Sequence, residues 1–173
     1  MPSKYNDFNA HQKAVRDLKY YEQRFVLSPK QFKKFISPAP LVWTTVAFGP
    51  GCLPAITSAP GLYAFSVQSA QVGLPLHSYI LYIGQTGAKG ASRTLRKRAG
   101  EYLKEKKTAK RVHVWDFLNK WSNHLSFHYA PLDPATHDLE DVEKRLNDAL
   151  MPPFSRNDFS VDVKAQKKAW QRT

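Results

Sequence analysis

The sequence predicts an α+β fold: a small three-stranded antiparallel sheet flanked by helices, with a helical extension ahead of it. Three observations predict it. Two runs of β-branched and aromatic residues, around Tyr63 and around Tyr82, are bounded by Gly, Pro and Ser, the composition of short strands. A third run, through Phe127 to Ala130, alternates as a strand does. Two further stretches, near Tyr102 and Leu146, repeat their apolar residues at helical spacing. With 173 residues, 42% of them hydrophobic, the chain fits one globular domain and an appendage.

Residues 10–36 have helical character, with Val15, Leu18, Tyr21, Phe25, Phe32 and Phe35 at roughly helical spacing. Ser28 and Pro29 divide the stretch, Ser28 as the N-cap of a second helix and Pro29 in its first turn. Five prolines between residues 37 and 60 argue for an irregular connection with room for a short strand over 41–46. The organisation expected is an extension over 1–59, a domain over 60–159 and a basic tail over 160–173. Cys52 is alone, which excludes an intrachain disulfide and a Cys-rich zinc site. No apolar run is long enough to span a bilayer and the polar start resembles no signal peptide, so a cytoplasmic chain is expected.

Tyr63 and Tyr82 lie nineteen residues apart on neighbouring strands. Alternation places Tyr63, Phe65 and Val67 on one face of the first strand and Leu62, Ala64 and Ser66 on the other. On the second, Tyr82 is expected to share a face with Ile80 and Gly84. Residues 68–78 contain Gly73 and Pro75 and read as the hairpin loop. Two tyrosines on a hairpin are, by themselves, ordinary packing residues.

Positive charge dominates the next stretch of chain. Residues 89–120 hold eleven Lys/Arg against three Asp/Glu, a net +8 of the chain's +12, whereas residues 61–88 hold none of either sign. The cations Lys89, Arg93, Arg96, Lys97, Lys104, Lys106, Lys107, Lys110 and Arg111 thus form a block suited to phosphate. A membrane surface would require large apolar residues opposite the charges. Only Leu95, Ala99, Tyr102 and Leu103 are available there, a stripe narrow enough to be used on the core. Nucleic acid is the expected partner, and no membrane binding is expected. The aromatic, basic extension is a candidate for gripping DNA or forming a homodimer.

The first helix of the domain is expected to be capped by Ser92 and to run to about residue 107. Gly100 inside it costs about 1 kcal/mol relative to Ala. Arg98 and Tyr102, four apart, stack on adjacent turns. Arg98 and Arg96 border opposite edges of the buried stripe, so geometry leaves either as the inward guanidinium. The second helix spans 139–150, with Asp138 as N-cap and Asp141 as the acid of a capping box. At 100° per residue its apolar face, Leu139, Val142, Leu146 and Leu150, centres about −20° from Leu139. Glu143 falls at about +40°, whereas Glu140, Asp141 and Asp148 fall on the far side. Glu143 is the only acid of this helix turned inward. Such a carboxylate requires a cationic partner, hydrogen bonds or a metal. His124 and His128 have a spacing compatible with a metal, but on a strand they are expected to face solvent. Trp115, Leu118 and Trp121 are at helical spacing and expected in the core.

Together these residues resemble the GIY-YIG nuclease superfamily. Gly61-Leu62-Tyr63 and Tyr82-Ile83-Gly84 match its two name motifs. Arg98 with Tyr102 matches its helical arginine four residues before a His or Tyr, which selects Arg98 over Arg96. Glu143-Lys144-Arg145-Leu146 leading to Pro152-Pro153-Phe154 matches its metal-binding glutamate and the turn after it. About six extra residues, 88–93, separate the second motif from its helix. The family's asparagine falls on Ser155, with Asn157 two residues later, so either supplies the local hydrogen bond. No single motif is strong; five in the right order, over residues 60–157, are specific.

The resemblance implies divalent-metal-dependent hydrolysis of DNA phosphodiesters with one Mg²⁺ or Mn²⁺ per site. Glu143 would bind the ion, Arg98 would offset phosphate charge, Tyr63 would be the general base, and Tyr82 and Tyr102 would position it. A phenol pKa of about 10 puts the phenolate roughly 4 kcal/mol out of reach at neutral pH. Ser155 in the asparagine position also leaves open a nucleic-acid-binding module that keeps the fold without the catalysis. An RNA nuclease is a third reading.

Overall fold

The computed structural model of the chain describes residues 8–68, 78–156 and 158–170. In chain order the elements are α1 (Phe8–Tyr21), α2 (Pro29–Lys34), β1 (Thr44–Ala47), β2 (Gly61–Gln68), β3 (Ser78–Thr86), α3 (Leu95–Thr108), α4 (Val112–Lys120), β4 (Leu125–Pro131), α5 (Leu139–Leu150) and α6 (Val161–Trp170). The strands form one antiparallel sheet in the order β1-β4-β2-β3. The fold is α+β as expected, with four strands and not three. The fourth strand, β1, overlaps the short strand for which residues 41–46 left room; it is largely exposed and joins the sheet by pairing with β4, which the sequence reading did not include. The hairpin loop expected over 68–78 lies mostly outside the described residues.

β2 is buried along most of its length because helices cover both faces of the sheet. On one face Tyr63, Phe65, Leu81, Tyr82 and Phe127 pack against Leu95, Ala99 and Tyr102 of α3 and Val114, Phe117 and Leu118 of α4. On the other, Leu62, Ala64 and Ile83 meet Leu139, Val142 and Leu146 of α5. A third cluster joins Met151, Phe159 and Val163 with Val26 of the extension. Residues 161–170, expected as a polar tail, form α6 because Val163 is buried in that cluster.

The register corrects one expectation. Phe65 pairs with Tyr82 but Ser66 pairs with Ile80, so Leu81 is a bulge. The extra residue puts Ile80 with the α5 face and leaves Tyr82 on the α3 face with Gly84 opposite Tyr63. β3 is one of the two edge strands, and two of its outward groups are capped: Phe154 N–H donates to Leu81 O (3.0 Å) and Ile83 N–H to Ser155 Oγ (3.3 Å). The turn after α5 therefore closes an otherwise open edge.

Helix ends differ locally from expectation. α3 is capped by Thr94, whose side chain accepts from Lys97 N–H, and not by Ser92. The amides of Leu95 and Arg96 are taken by the carbonyls of Ala59 and Thr57, which fixes the helix start by tertiary contact. The 88–93 insertion contains a short 3-10 turn, Ala88–Gly90. Asp138 does cap α5, accepting from Glu140 and Asp141 N–H. Asp141 turns outward to Arg145 (2.7 Å), and no capping-box hydrogen bond from it is formed.

In the extension, Ser28 caps α2 with Pro29 in its first turn, as expected. The helical spacing does not continue to Phe25: α1 ends at Tyr21, with Leu18 and Tyr21 exposed. The next segment is irregular, and adjacent residues take different partners: Phe25 meets Tyr79 (5.1 Å between centroids), and Val26 joins the third cluster. In α4 Leu118 is buried, but Trp115 is exposed and Trp121 only half-buried.

A Cβ on Gly100 would meet only Leu53 methyl groups at ordinary contact, 3.9–4.0 Å. Gly100→Ala is accordingly expected to stabilise the chain by about 0.5–1 kcal/mol, measured by urea denaturation; a loss of stability would show that α3 does not pack as described.

Candidate active site

The site is built around the edge strand β3, with α3 on one side and α5 on the other. Tyr63 projects from β2 across Gly84 of β3. A Cβ on Gly84 would collide with the Tyr63 phenol, so only glycine admits the ring there. Gly61, at φ +153°, likewise lies where a Cβ would strike the Ala130 carbonyl. The glycines of both motifs are thus explained by close backbone approach.

Tyr63 and Tyr102 place their hydroxyls 2.8 Å apart. Arg98 donates to both, from Nε to the Tyr63 oxygen (3.0 Å) and from a terminal nitrogen to the Tyr102 oxygen (3.3 Å). Its other terminal nitrogen donates to Glu101 (2.7 Å), which also receives Arg93 (3.1 Å). Tyr82 packs at 6.3 Å from the Tyr63 ring and 6.2 Å from the Tyr102 ring. The four side chains selected from the sequence, Tyr63, Tyr82, Arg98 and Tyr102, do converge. Arg96 does not join them: its Nε donates to the Ile56 carbonyl (2.7 Å).

Exposure decides what an incoming group meets first. Tyr63 is 1% and Tyr102 0% exposed, whereas Tyr82 is 9% exposed and the Arg98 side chain 14%. Arg98 and Tyr82 form the rim, with the other two hydroxyls behind them. Burial raises the Tyr63 phenol well above its ordinary value, with the neighbouring tyrosines adding and Arg98 opposing. Burial, then Tyr102, does the same to Tyr82. Desolvation works against the Arg98 cation, but the phenol and Glu101 oxygens outweigh it and the charge is kept.

Glu143 approaches from α5. Burial, reinforced by the charge of Asp158, pushes its carboxyl up to about 8, while a hydrogen bond from the Gln85 backbone and the Arg98 charge pull the other way. Arg98 therefore acts electrostatically on both sides of β3. Glu143 forms no ion pair with any described residue. The structural alternative, a buried acid satisfied by arginine, is realised elsewhere: Glu105 of α3, 7% exposed, accepts from the Arg111 amide and its Nε.

Three features carry no signal in the sequence that alternation or a helical wheel could find. Asp158 is half-buried and near enough to raise both Glu143 and Tyr82; it sits in a loop, where no helical wheel can orient it. Arg111, read as a groove cation, holds its guanidinium 5.0 Å from the Tyr102 ring centroid, so Tyr102 has arginines at 4.9 and 5.0 Å. His128 is not solvent-facing: it bridges Ser66 Oγ (2.7 Å) and Thr45 Oγ1 (2.8 Å) across three strands. Ser66 is fully buried, so this relay ties the sheet together and presents no nucleophile.

Of the remaining groove cations, Lys89 pairs with Glu140 (2.8 Å) and Lys97 donates to the Ser92 carbonyl. Lys104, Lys107 and Lys110 are exposed and Lys106 is half-buried, and none is in an ion pair with a described residue. Ser155 supplies a local hydrogen bond, to Ile83; Asn157 lies outside the described residues.

Among the described residues no three His, Cys, Asp or Glu side chains gather as a metal site. The donors present are oxygens: the Glu143 carboxylate, Asp158 near it, and the buried Gln85 Oε1, which has no hydrogen-bond partner. A hard divalent ion that takes one or two carboxylates and completes its shell with water fits that set. No helix among the described residues is long and apolar enough to cross a membrane. No family model, curated protein or solved structure matches the chain.

A carboxyl raised from 4.5 to about 8 holds its proton more tightly in the folded chain than in the unfolded one. Stability from this group is present below the unfolded value and lost as pH rises to about 8. Glu143→Gln is therefore expected to be more stable than wild type by about 1–3 kcal/mol at pH 8, with the gap closing toward pH 5. Thermal melts at the two pH values check this; equal melts at pH 8 would mean that Glu143 is not held desolvated.

Proposed function

We propose that this chain is a divalent-metal-dependent endonuclease that hydrolyses DNA phosphodiester bonds through a GIY-YIG-type site. One observation carries the reading. Arg98 donates to two buried phenols whose oxygens touch, while on the α5 side a desolvated acid, Glu143, is in no ion pair with a described residue. A structural network would pair that acid. A phosphodiester hydrolase leaves it for a metal.

Glu143, with Asp158 near it, would hold one Mg²⁺ or Mn²⁺. The ion would supply Lewis-acid stabilisation of charge on the leaving oxygen. Arg98, on the rim, offsets charge developing on the phosphate and needs no reorganisation to do so, because Tyr63, Tyr102 and Glu101 already fix it. Tyr63 is the proton acceptor for the attacking water. Whichever phenol donates in the Tyr63–Tyr102 hydrogen bond, Tyr102 holds the Tyr63 oxygen in place, and Tyr82 closes the pocket on the solvent side. Burial opposes the phenolate and the Arg98 charge favours it, so the basic form is scarce at neutral pH.

The specific alternative is a binding module without turnover. The near-complete burial of the Tyr63 and Tyr102 hydroxyls favours it, since substrate must displace the rim to reach them. A plasmid-nicking assay separates the two. Nicking is expected with Mg²⁺ or Mn²⁺ and not with EDTA, with a rate that rises from pH 7 to 9 as phenol and carboxyl lose protons. Glu143→Ala should abolish cleavage and Arg98→Ala reduce it about 10²–10³-fold, both with DNA affinity kept. Binding without nicking in either metal would assign the module instead, and cleavage by Glu143→Ala at the wild-type rate would remove Glu143 from the site.

A further inference from the structure

A second concentration of positive charge lies outside the basic block. The end of α1 and the segment after it, the turn following α5, and α6 enclose a cleft of about 860 Å³. Its walls carry Lys19, Arg24, Arg156, Lys164, Lys167 and Lys168 against one acid, Glu22. These cations come from two distant stretches of the chain, the basic extension and the residues after α5. Folding sorts them to one side. None is in an ion pair with a described residue. Lys167 is half-buried, and its ammonium stands 3.8 Å from the Phe159 ring centroid. Like charges crowded in a concave surface are unfavourable unless an anion occupies it.

The cleft shares the turn after α5 with the candidate active site. Its lining includes Pro153 and Ser155, in the turn that bonds Leu81 and Ile83 on the edge strand. Burial raises the carboxyl of Asp158, the acid that acts on Glu143, and Lys164 on the cleft wall is close enough to oppose that shift. An anion with regularly repeated charges, entering from the cleft, would be led to the edge of β3. A membrane headgroup layer suits the surface less well, because the apolar residues here, Val26, Met151 and Phe159, lie in the lining and do not project from a convex face.

We infer that this cleft grips the phosphate backbone of nucleic acid outside the cleaved bond, which makes the extension and α6 a second substrate-binding surface independent of Lys104, Lys107 and Lys110. The inference rests on the nucleic-acid reading of the site but not on turnover. Lys19, Arg24 and Lys168 are exposed and away from the phenol–arginine cluster, so the triple variant Lys19→Gln/Arg24→Gln/Lys168→Gln should fold normally, checked by its thermal melt. Affinity for a labelled thirty-base-pair DNA duplex, measured with EDTA so that cleavage plays no part, should fall about 10–100-fold. The slope of log affinity against log salt should drop by about 3. Unchanged affinity and slope would overturn the proposal while leaving the nuclease assay free to succeed. Loss of duplex binding in a protein that never nicks would support the cleft and remove the enzyme. Binding of phosphatidylserine vesicles but not of duplex, lost in the triple variant, would overturn it in favour of a membrane surface.

Discussion

The contact on which the arrangement depends is the fork of hydrogen bonds from Arg98. One guanidinium reaches the oxygens of Tyr63 and Tyr102 and the Glu101 carboxylate at once. Each bond is modest alone, about 1–3 kcal/mol for a charged donor, but together they leave the cation no alternative direction. That fixed charge is the element shared by the two halves of the site, since it pulls down both the Tyr63 phenol and the Glu143 carboxyl. Removing it would leave three buried tyrosines and one half-buried acid with nothing to organise them.

Its placement is set by the sheet edge. β3 has a partner on one side only, and three features use the free side. The Leu81 bulge offers a carbonyl to Phe154, Ser155 takes the Ile83 amide, and Gly84 lets the Tyr63 ring pass. Helix α3 then has to begin where the carbonyls of Thr57 and Ala59 accept its first amides, which sets the rotation of Arg98 toward the phenols and of Arg96 toward Ile56. An edge strand is the one place in such a fold where side chains from both faces meet around a narrow backbone. The same turn that seals the edge also forms part of the cationic cleft, so edge protection and the cleft share residues.

Much of this was legible in the sequence because it is periodic or local. The apolar stripe of α5 oriented Glu143, the i,i+4 relation joined Arg98 to Tyr102, and alternation separated Tyr63 from Leu62. What was illegible is non-local. The bulge at Leu81 broke the alternation that would have grouped Tyr82 with Ile80. Thr94 displaced Ser92 as a cap because two backbone carbonyls from residues 57–59 reached the helix first. Arg111 and Glu105, six apart across a helix end, carried no periodic sign of their pairing. Asp158 sits in an aperiodic loop, and the basic cleft joins residues more than a hundred positions apart that no periodicity connects. Family-like motifs singled out residues that the fold brings together around Arg98; only the fold shows how their charges are shared.

Paramagnetic broadening by Mn²⁺ puts the assembled site to the test in one titration. In wild-type protein at pH 8, substoichiometric Mn²⁺ should first broaden the NMR signals of the Gln85 amide, the Arg98 Nε–H and the Tyr82 ring, and Glu143→Gln should abolish that selectivity. Broadening that begins at His124 and His128, or that is the same in Glu143→Gln, would mean that residue 143 holds no metal beside Arg98.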